Sequence, residues 1–434
     1  MGWLSLLTGM ILAVVSTAVA QPSSPLIPSV GTQDTSGAGS TVSPGSPTVA
    51  DPLLEQIDRA IQINSQRFMV ANANSPWQIF HGILAYKQQL MLKVGEHKMS
   101  AIEWVATMEP RFDGLPLILI TPHGAKFHPF TREYAFEGHQ GQTLALLSES
   151  QLPIDFPFKV GDRTVTLADF LNNMLMEINE REEITWVLWA LINYLKVDAQ
   201  WTDQWGRPWS IEKLVQMQVQ GPVVGAPCGG NHGLFALVRA RDKYRKTGRE
   251  LRGVWYQADY KINQYIEIAR SWQNSDGTFS SDFYRGPGYS PQVITRINTT
   301  GHTLEFVAAA LPEERLHESW VRRAADVLSR ELIEQRKAPL DPGPLYHACH
   351  ALMIYRQRTR PGPAAQQSVR HADRPASPSG PPMSTLPLTM PGPTNVPQLP
   401  AGSRLGTLLD LTTRPSEMRT SGEEPVSGDD PSNR

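Results

Sequence analysis

Six short segments of the chain share one opening, in which a few polar residues lead directly into an almost wholly apolar helix. The segments begin at His81, Glu137, Glu182, Cys228, Thr299 and Leu345. A helix that is apolar on every side and too short to cross a membrane is expected to be buried in a protein core. The sequence therefore predicts six buried helices that each start with polar side chains.

Helices of a second kind are predicted between these segments. Leu54, Ile57, Ile61 and Phe68 fall at helical spacing, and so do the apolar residues from Trp255 to Trp272. One apolar face and one charged face are typical of an outer layer. Six outer helices that alternate with six inner ones predict an all-α fold, an (α/α)6 toroid of six helical hairpins. A small β-containing insertion is expected in the loop 109–137, at Leu115–Ile120.

Composition divides the chain into four parts. Residues 1–20 resemble a secretory signal peptide, with an apolar stretch followed by Ala18-Val19-Ala20. Residues 21–50 form a linker rich in Ser, Thr, Pro and Gly, which predicts disorder. Residues 51–358 are predicted to form the toroid domain. Residues 359–434 are rich in Pro and Ser and too poor in large apolar side chains to offset chain entropy, so we predict a disordered tail.

These features predict an exported protein, periplasmic or extracellular, and an uncleaved N-terminal anchor is the alternative. The chain has 40 basic and 42 acidic residues, a net charge of −2, without the clustered positive face that nucleic-acid binding requires. Beyond the signal, no apolar run is as long as the roughly 20 residues of a membrane span. We expect a monomer.

Loop lengths predict which end of the toroid is functional. The loops 109–137, 219–229 and 273–300 lead into inner helices and are long or irregular, which is typical of functional loops. The loop 197–208, which carries Trp201, Trp205 and Trp209, is expected at the opposite end, where the tryptophans would pack structurally. The inner-helix starts are therefore the predicted working end.

The candidate catalytic residues lie at these helix starts. A helix N-terminus favours anions and lowers the pKa of a nearby imidazole, which would keep it neutral and able to act as a base. The alternative for each residue is that it caps its helix. The candidates are His139, Glu137, Glu183, His232, His302, Glu305 and His347.

A second group of residues is predicted to contact a substrate. Most of them lie on the loops 109–137 and 273–300, of which the first is long enough to cover the mouth of the toroid. The alternative for the loop histidines is that they only hold the loop in place. The candidates are His81, His123, His128, Asp282, Tyr284 and Arg285.

One motif adds a family resemblance. The segment Gln273-Asn274-Ser275-Asp276-Gly277-Thr278-Phe279 resembles the Gln-x-x-x-Gly-x-Trp segment of terpenoid cyclases and related prenyltransferase-like toroids. Phe279 stands where that motif has Trp, and the Asp-x-Asp-Asp motif of triterpene cyclases is absent. The alternative role of Asp276 is a turn bond to its own backbone. The hairpin pattern also resembles that of exported bacterial proteins of unassigned function.

The two cysteines resemble a different set of ligands. Cys228 and the pair Cys349-His350 are similar to the zinc ligands of lanthionine-forming toroid cyclases, but Ala351 stands where that family has Gly. A cysteine within a buried helix is more often a small apolar side chain in the core. The sequence therefore predicts no metal ligand, and it indicates no particular cofactor.

Three functions remain open at this point. The first is an enzyme or binding protein for an acidic polysaccharide or another cell-envelope polymer, which follows by analogy from the predicted fold and the polar mouth. The second is a terpenoid-cyclase-like enzyme for an isoprenoid substrate, which requires an aromatic-lined cavity. The third is a non-catalytic toroid that binds a partner as a scaffold.

Overall fold

A computed structural model describes residues 51–129 and 132–359 of the chain. The predicted signal peptide, the linker 21–50 and all of the predicted tail except Thr359 lie outside the described residues. Thr359 ends the last helix as its C-cap. Within the described part no helix is long and apolar enough to cross a membrane.

The described residues are mostly helical, as predicted. The α-helices are α1 (Pro52–Ser65), α2 (Pro76–Tyr86), α3 (Ala101–Thr107), α4 (Gln142–Ser148), α5 (Leu167–Glu177), α6 (Thr185–Tyr194), α7 (Ile211–Gln220), α8 (Asn231–Arg245), α9 (Gly253–Ser271), α10 (Val293–Ala310), α11 (Glu313–Leu316), α12 (Ser319–Glu334) and α13 (Pro342–Arg358). Short 3-10 helices lie at Lys87–Gln89 and Pro227–Gly230.

The strands are short and form small sheets between the helices. They are β1 (Met69–Val70), β2 (Met91–Val94), β3 (His97–Ser100), β4 (Arg111–Phe112), β5 (Leu115–Pro116), β6 (Ile118–Thr121), β7 (Gly124–Phe127), β8 (Pro157–Val160), β9 (Arg163–Thr166), β10 (Gln200–Thr202) and β11 (Pro208–Ser210). β1 pairs with β2 in parallel and β2 with β3 antiparallel. The other strands form four antiparallel hairpins: β4–β5, β6–β7, β8–β9 and β10–β11. The predicted strand at Leu115–Ile120 is thus divided between β5 and β6.

Local sequence signals set several helix starts. Ser75 accepts a hydrogen bond from the backbone N–H of Gln78, whose side chain accepts one from the backbone N–H of Ser75, and Pro76 follows as the first residue of α2. This reciprocal capping satisfies two of the N–H groups that a helix start leaves unpaired. At α1, Asp51 caps the helix and Pro52 begins it.

Two kinds of helix alternate along the chain. In α6 the eight residues from Thr185 to Ile192 are all buried, whereas in α9 the buried residues fall on one face, with Val254, Ala258 and Ile262 among them. This difference matches the two predicted kinds. The burial of α6 on every side places it in the core, and the single buried face of α9 places that helix in the surface layer.

The buried helices contact one another in a defined succession. Helix α2 packs against α4, α4 against α6, α6 against α8 and α8 against α10; α10 packs against α13, and α13 against α2. The closest of these contacts lies between α10 and α13. A Cβ atom added to Gly301 would come within 2.9 Å of the Cα atom of Ala348, so only glycine permits this approach.

The structure corrects two predictions of position. Helices α10 and α13 begin at Val293 and Pro342, six and three residues before the predicted starts, so His302 and His347 lie well inside their helices. The loop 197–208 forms the hairpin β10–β11, whose tip packs beside the end of α5. There the backbone N–H of Gln204 donates to the carbonyl of Met176.

Candidate functional site

Four buried histidines from four different helices lie against one another. The rings of His302 and His347 have centroids 4.0 Å apart, and His232 lies 5.1 Å from His302 and 4.9 Å from His347. His81 lies 5.4 Å from His347. Each of the four is at most 4% exposed. We call these four residues the histidine cluster.

Backbone carbonyls hold two of these rings. Nδ1 of His302 lies 2.8 Å from the carbonyl oxygen of Asn298, and Nδ1 of His81 lies 2.6 Å from that of Trp77. A carbonyl can only accept, so Nδ1 must carry the proton in both rings, and Nε2 then presents a lone pair. The Nε2 atom of His302 is buried and has no hydrogen-bond partner.

Glu305 supports the cluster from α10. Its carboxylate lies 2.9 Å from Nδ1 of His347 and 2.5 Å from Nδ1 of His350, and all three side chains are at most 2% exposed. Burial alone would raise the pKa of Glu305, but the two imidazoles hold it well below its usual range. Glu305 is therefore an ionised acceptor that orients His347 and His350, and Nε2 of His347 is left without a partner.

Burial is the largest influence on the pKa values of His81, His232 and His302. It lowers the pKa of His81 and of His302 to about 3, with His347 adding to the effect, and it holds that of His232 well below its usual range. We predicted neutral imidazoles from the field of the helix starts. For His81, His232 and His302 the cause is burial instead: His302 is well inside α10, and of these three only His232 lies in the first turn of its helix.

Cys228 lies next to the cluster on a loop with an unusual backbone. Its φ of 49° is left-handed, and Gly229 and Gly230 follow with φ of 67° and 80°. The ligand atoms of Cys228, His232 and His302 all lie within 4.8 Å of one another. Cys349 is not part of this group: it is fully buried in α13 beside Tyr86, as an apolar core residue would be.

The loop 281–285 forms one wall of a surface depression beside Cys228. Asp282, Tyr284 and Arg285 line this depression of about 400 Å³ together with Cys228. The hydroxyl of Tyr284 donates to Oδ1 of Asn231 at 2.8 Å, and burial raises its pKa well above the usual range. Tyr284 is therefore held in the wall of the depression, whereas Asp282 and Arg285 are exposed at its edge.

A second, more exposed pair joins two predicted catalytic residues. Nδ1 of His139 lies 2.6 Å from a carboxylate oxygen of Glu183, and the two side chains are 27% and 32% exposed. The ring of His139 stacks on Trp186 at 5.6 Å, and Trp186 in turn packs on His232 at 4.6 Å. A carboxylate that orients an accessible imidazole is the arrangement of a general base.

Glu137 has a structural role that accounts for its position. Its two carboxylate oxygens accept hydrogen bonds from the backbone N–H groups of Gly141 and Thr143, at the start of α4. Burial nevertheless raises the pKa of Glu137 to about 7. Glu137 therefore caps its helix, which is the alternative role that the sequence left open for each candidate.

A cleft of about 640 Å³ lies beside Glu137. Its walls come from the loop before α4, the end of α5, the start of α6 and the tip of the hairpin β10–β11. The polar and charged lining residues are Lys126, Glu137, Gln140, Asn173, Glu177, Asn179, Glu182 and Gln204. Trp205, which is 55% exposed, also lines it. The prediction that loop 197–208 lies away from the inner-helix starts is therefore wrong for Trp205.

The remaining predicted residues hold loops in place. Nε2 of His123 lies 2.9 Å from the side-chain oxygen of Gln204, which joins two hairpin tips, and His128 packs on Phe136 with ring centroids 4.4 Å apart. Asp276 accepts from both the backbone and the hydroxyl of Thr278, which is the turn alternative. Trp201 and Trp209 are buried and donate to Leu175 and Asp203.

Two features were missed by the sequence analysis. Cys228 and His232 are four residues apart at a helix start, a spacing that was visible but was not combined with His302 on another helix. The amide side chains of the cleft carry no sequence signal, because Gln140, Asn179 and Gln204 belong to three separate loops that only the fold brings together.

The chain matches no model of a known protein family, and searches of curated proteins and of solved structures found no similar protein. The resemblance to terpenoid cyclases therefore stays a prediction. The function has to be argued from the site.

Proposed function

We propose that this protein binds a neutral or amino-substituted saccharide chain in the cleft. The observation that supports this most strongly is the position of Trp205, an exposed aromatic ring surrounded by amide and carboxylate side chains. A sugar ring has an apolar face that packs on an aromatic ring, and its hydroxyls pair with planar amides and carboxylates.

Neighbouring side chains fix the indole ring of Trp205 in an orientation that permits such stacking. The guanidinium of Arg207 lies over its ring, 4.5 Å from the centroid. Arg207 is itself fixed by Asp203, whose carboxylate lies 2.7 Å from Nε, and by the carbonyl of Ile178. One face of the indole is therefore covered by the protein, and its exposed fraction of 55% leaves ring surface for a ligand.

The charge of the cleft selects the class of sugar. Lys126 is the one cation among the described residues that line the cleft, and it is paired with Glu177 at 3.0 Å, whereas the exposed Glu182 adds a further carboxylate. This surplus of negative charge repels a polyuronate and attracts an amino sugar. The proposal thus departs from the acidic polysaccharide that the helix starts led us to expect.

We place this cleft on an (α/α)6 toroid. The proposal is supported by the succession of contacts from α2 through α4, α6, α8, α10 and α13 back to α2. In that arrangement the cleft and the histidine cluster lie toward the inner-helix starts. The proposed export from the cytoplasm, which rests on residues 1–20, would bring the cleft to an envelope polymer.

An isoprenoid cyclase is less well supported. Such an enzyme needs a cavity where the inner helices face one another, but rings from different helices contact each other there: His232 lies 4.9 Å from His347, and Trp189 packs on Phe235 at 4.5 Å. The residues available for turnover are His139 and Glu183, whose sequence neighbours Gln140 and Glu182 line the cleft.

Binding to three soluble oligosaccharides of equal length tests the proposal: a neutral glucan, an amino-sugar polymer and a polyuronate. We expect the first two to bind more tightly than the polyuronate, and Trp205→Ala to weaken binding about tenfold. The matched control is Tyr289→Ala, which removes an equally exposed aromatic ring outside the cleft. Preferential binding of the polyuronate, or equal effects of the two variants, would contradict the proposal. Product analysis with wild type and His139→Ala then separates an enzyme from a binding protein.

A further inference from the structure

The histidine cluster contains several buried nitrogen atoms that no protein group satisfies. Both ring nitrogens of His232 and Nε2 of His302 and of His347 have no hydrogen-bond partner among the described residues. Buried polar atoms are nearly always paired, so each exception needs a physical explanation. Nε2 of His302 and one ring nitrogen of a neutral His232 carry lone pairs, and these two residues lie close enough together for a bound cation to satisfy both.

Cys228 completes this arrangement. We propose that Cys228, His232 and His302 bind a zinc ion, a site separate from the saccharide cleft. Their ligand atoms lie within 4.8 Å of one another, and two of the three residues are almost fully buried. One thiolate and two imidazoles are ligands that zinc prefers, whereas calcium and magnesium prefer oxygen.

The distances permit zinc with a small adjustment. Zinc binds sulfur at about 2.3 Å and imidazole nitrogen at about 2.0–2.1 Å, which separates tetrahedral ligand atoms by about 3.3–3.8 Å. The group therefore has to close by about 1 Å when it binds the ion. Three protein ligands leave a fourth position for water or another small ligand.

The surroundings orient the ligands as zinc sites require. The hydrogen bond from Nδ1–H of His302 to the carbonyl of Asn298 directs Nε2 away from that carbonyl. A metal-bound histidine almost always donates its other N–H to a carbonyl or carboxylate, which fixes the tautomer. The ionised Glu305, bound to His347 next to His302, adds negative charge that stabilises a cation.

The backbone of the loop also places the thiol. Side chains rarely adopt the left-handed φ of Cys228, and conformations of this kind persist where a site requires them. A Cβ atom at Gly229 would come within 2.2 Å of the Phe283 ring, and one at Gly230 within 2.6 Å of the carbonyl oxygen of Val223. The two glycines therefore let the loop pack closely and hold Cys228 beside the imidazoles.

An ion can reach the site from solvent. Cys228 is partly exposed and lines the depression of about 400 Å³ between the loops 224–229 and 281–285. The fourth position of the zinc would be reached from the same side. A site that is reached through a surface depression exchanges its metal with chelators, which makes the proposal accessible to titration.

The test is the stoichiometry and affinity of zinc on the full chain after treatment with a chelator. Wild type should bind one equivalent that resists gel filtration, and Cys228→Ser and His302→Ala should each weaken binding at least 100-fold. The matched control is Cys349→Ser, which alters the only other cysteine and should leave binding unchanged.

Alkylation of the wild type provides a second measurement that needs no variant to fold. Zinc should slow the reaction of Cys228 with iodoacetamide at least tenfold, measured by peptide mass spectrometry. Less than 0.1 equivalent of zinc, equal affinity in wild type and Cys228→Ser, or alkylation that zinc does not slow would overturn the proposal. Loss of zinc in a Cys349→Ser variant that keeps the circular dichroism spectrum of the wild type would overturn it as well.

Discussion

The histidine cluster and the cleft use polar side chains in opposite ways. In the cleft, carboxylates are capped or paired, as with Glu137 at α4 and Glu177 with Lys126, and the amides line a surface open to solvent. In the cluster, imidazoles are almost fully buried and several nitrogens have no partner. The cleft can bind a ligand by exchanging water for sugar hydroxyls, whereas the buried nitrogens of the cluster can be satisfied by a cation.

The comparison shows that residues of one chemical type have different roles in this structure. The predicted site residues were chosen for their chemistry at helix starts, but the same chemistry serves three roles here. Glu137 caps a helix, Glu183 orients a partly exposed imidazole, and Glu305 accepts hydrogen bonds from two buried imidazoles. Burial and the number of partners distinguish these roles.

The largest difference between the two regions should appear when their carboxylates are removed. Glu305→Ala leaves His347 and His350 buried without their acceptor, so we expect the free energy of unfolding to fall by about 3–5 kcal/mol. Glu183→Ala removes a half-exposed partner of His139 and should cost no more than about 1 kcal/mol. Urea denaturation of both variants measures this, and equal losses would show that the cluster is not the stabilised region.

The second prediction is that the free energy of unfolding falls at acid pH because of the buried histidines. The pKa of His302 is about 3 in the folded protein and about 6.5 when unfolded, so the unfolded chain takes up the proton first as the pH falls. Stability is fully present above about pH 6.5 and is lost toward pH 3, by about 1.4 kcal/mol per pH unit for each such imidazole. His81 contributes in the same direction.

The measurement is the free energy of unfolding of metal-stripped protein at pH 7, 6 and 5. In His302→Gln the slope of this free energy against pH should be smaller than in wild type, by an amount that corresponds to about one proton. His123→Gln alters a histidine outside the cluster and should keep the slope of wild type. If His302→Gln and wild type lose stability in parallel, His302 is not neutral in the folded state.

A smaller loss of stability is expected when the close approach of α10 and α13 is disturbed. Gly301→Ala would force the helix backbones apart where the rings of His302 and His347 lie 4.0 Å from each other, at a cost of about 1–3 kcal/mol. Gly286→Ala is the control, because a Cβ atom there meets no other atom within 4 Å. A stability of Gly301→Ala equal to that of the control would refute the close approach.

The smallest effect on stability is expected in the cleft. Trp205→Ala should change the free energy of unfolding by no more than about 0.5 kcal/mol, since the ring is largely exposed. Trp186→Ala, which removes a fully buried ring from the wall of the cluster, should cost about 3–5 kcal/mol. Similar melting temperatures for the two variants would contradict the assignment of Trp205 to a binding surface.

The sequence predicted the helices better than the site. Apolar periodicity identified the fully buried and the amphipathic helices, because burial on one face or on all faces is encoded locally. The starts of α10 and α13 were missed since Val293–Asn298 and Pro342–Pro344 are not continuously apolar, although Asp341 and Pro342 form a cap signal. The tip of β10–β11 was misplaced because hairpin direction depends on tertiary contacts.

The site was predicted only in part, because its residues are encoded locally but their contacts are not. The residues His232, His302, Glu305 and His347 were named because they begin or enter inner helices, and the structure brings them together. Cys228 and Cys349-His350 resemble the zinc ligands of lanthionine-forming toroid cyclases, but the structure places Cys228 beside His232 and His302, and Cys349 beside Tyr86. Which polar groups lack a partner is a property of the packed interior and has no local sequence signal.

The most direct test of the account is the X-ray absorption spectrum of the zinc-loaded protein. The cluster predicts one sulfur at about 2.3 Å and imidazole nitrogens at about 2.0–2.1 Å around the metal, with the sulfur lost in Cys228→Ser. A spectrum with only oxygen and nitrogen neighbours in wild type, or with sulfur retained in Cys228→Ser, would show that the buried imidazoles and Cys228 do not form a metal site.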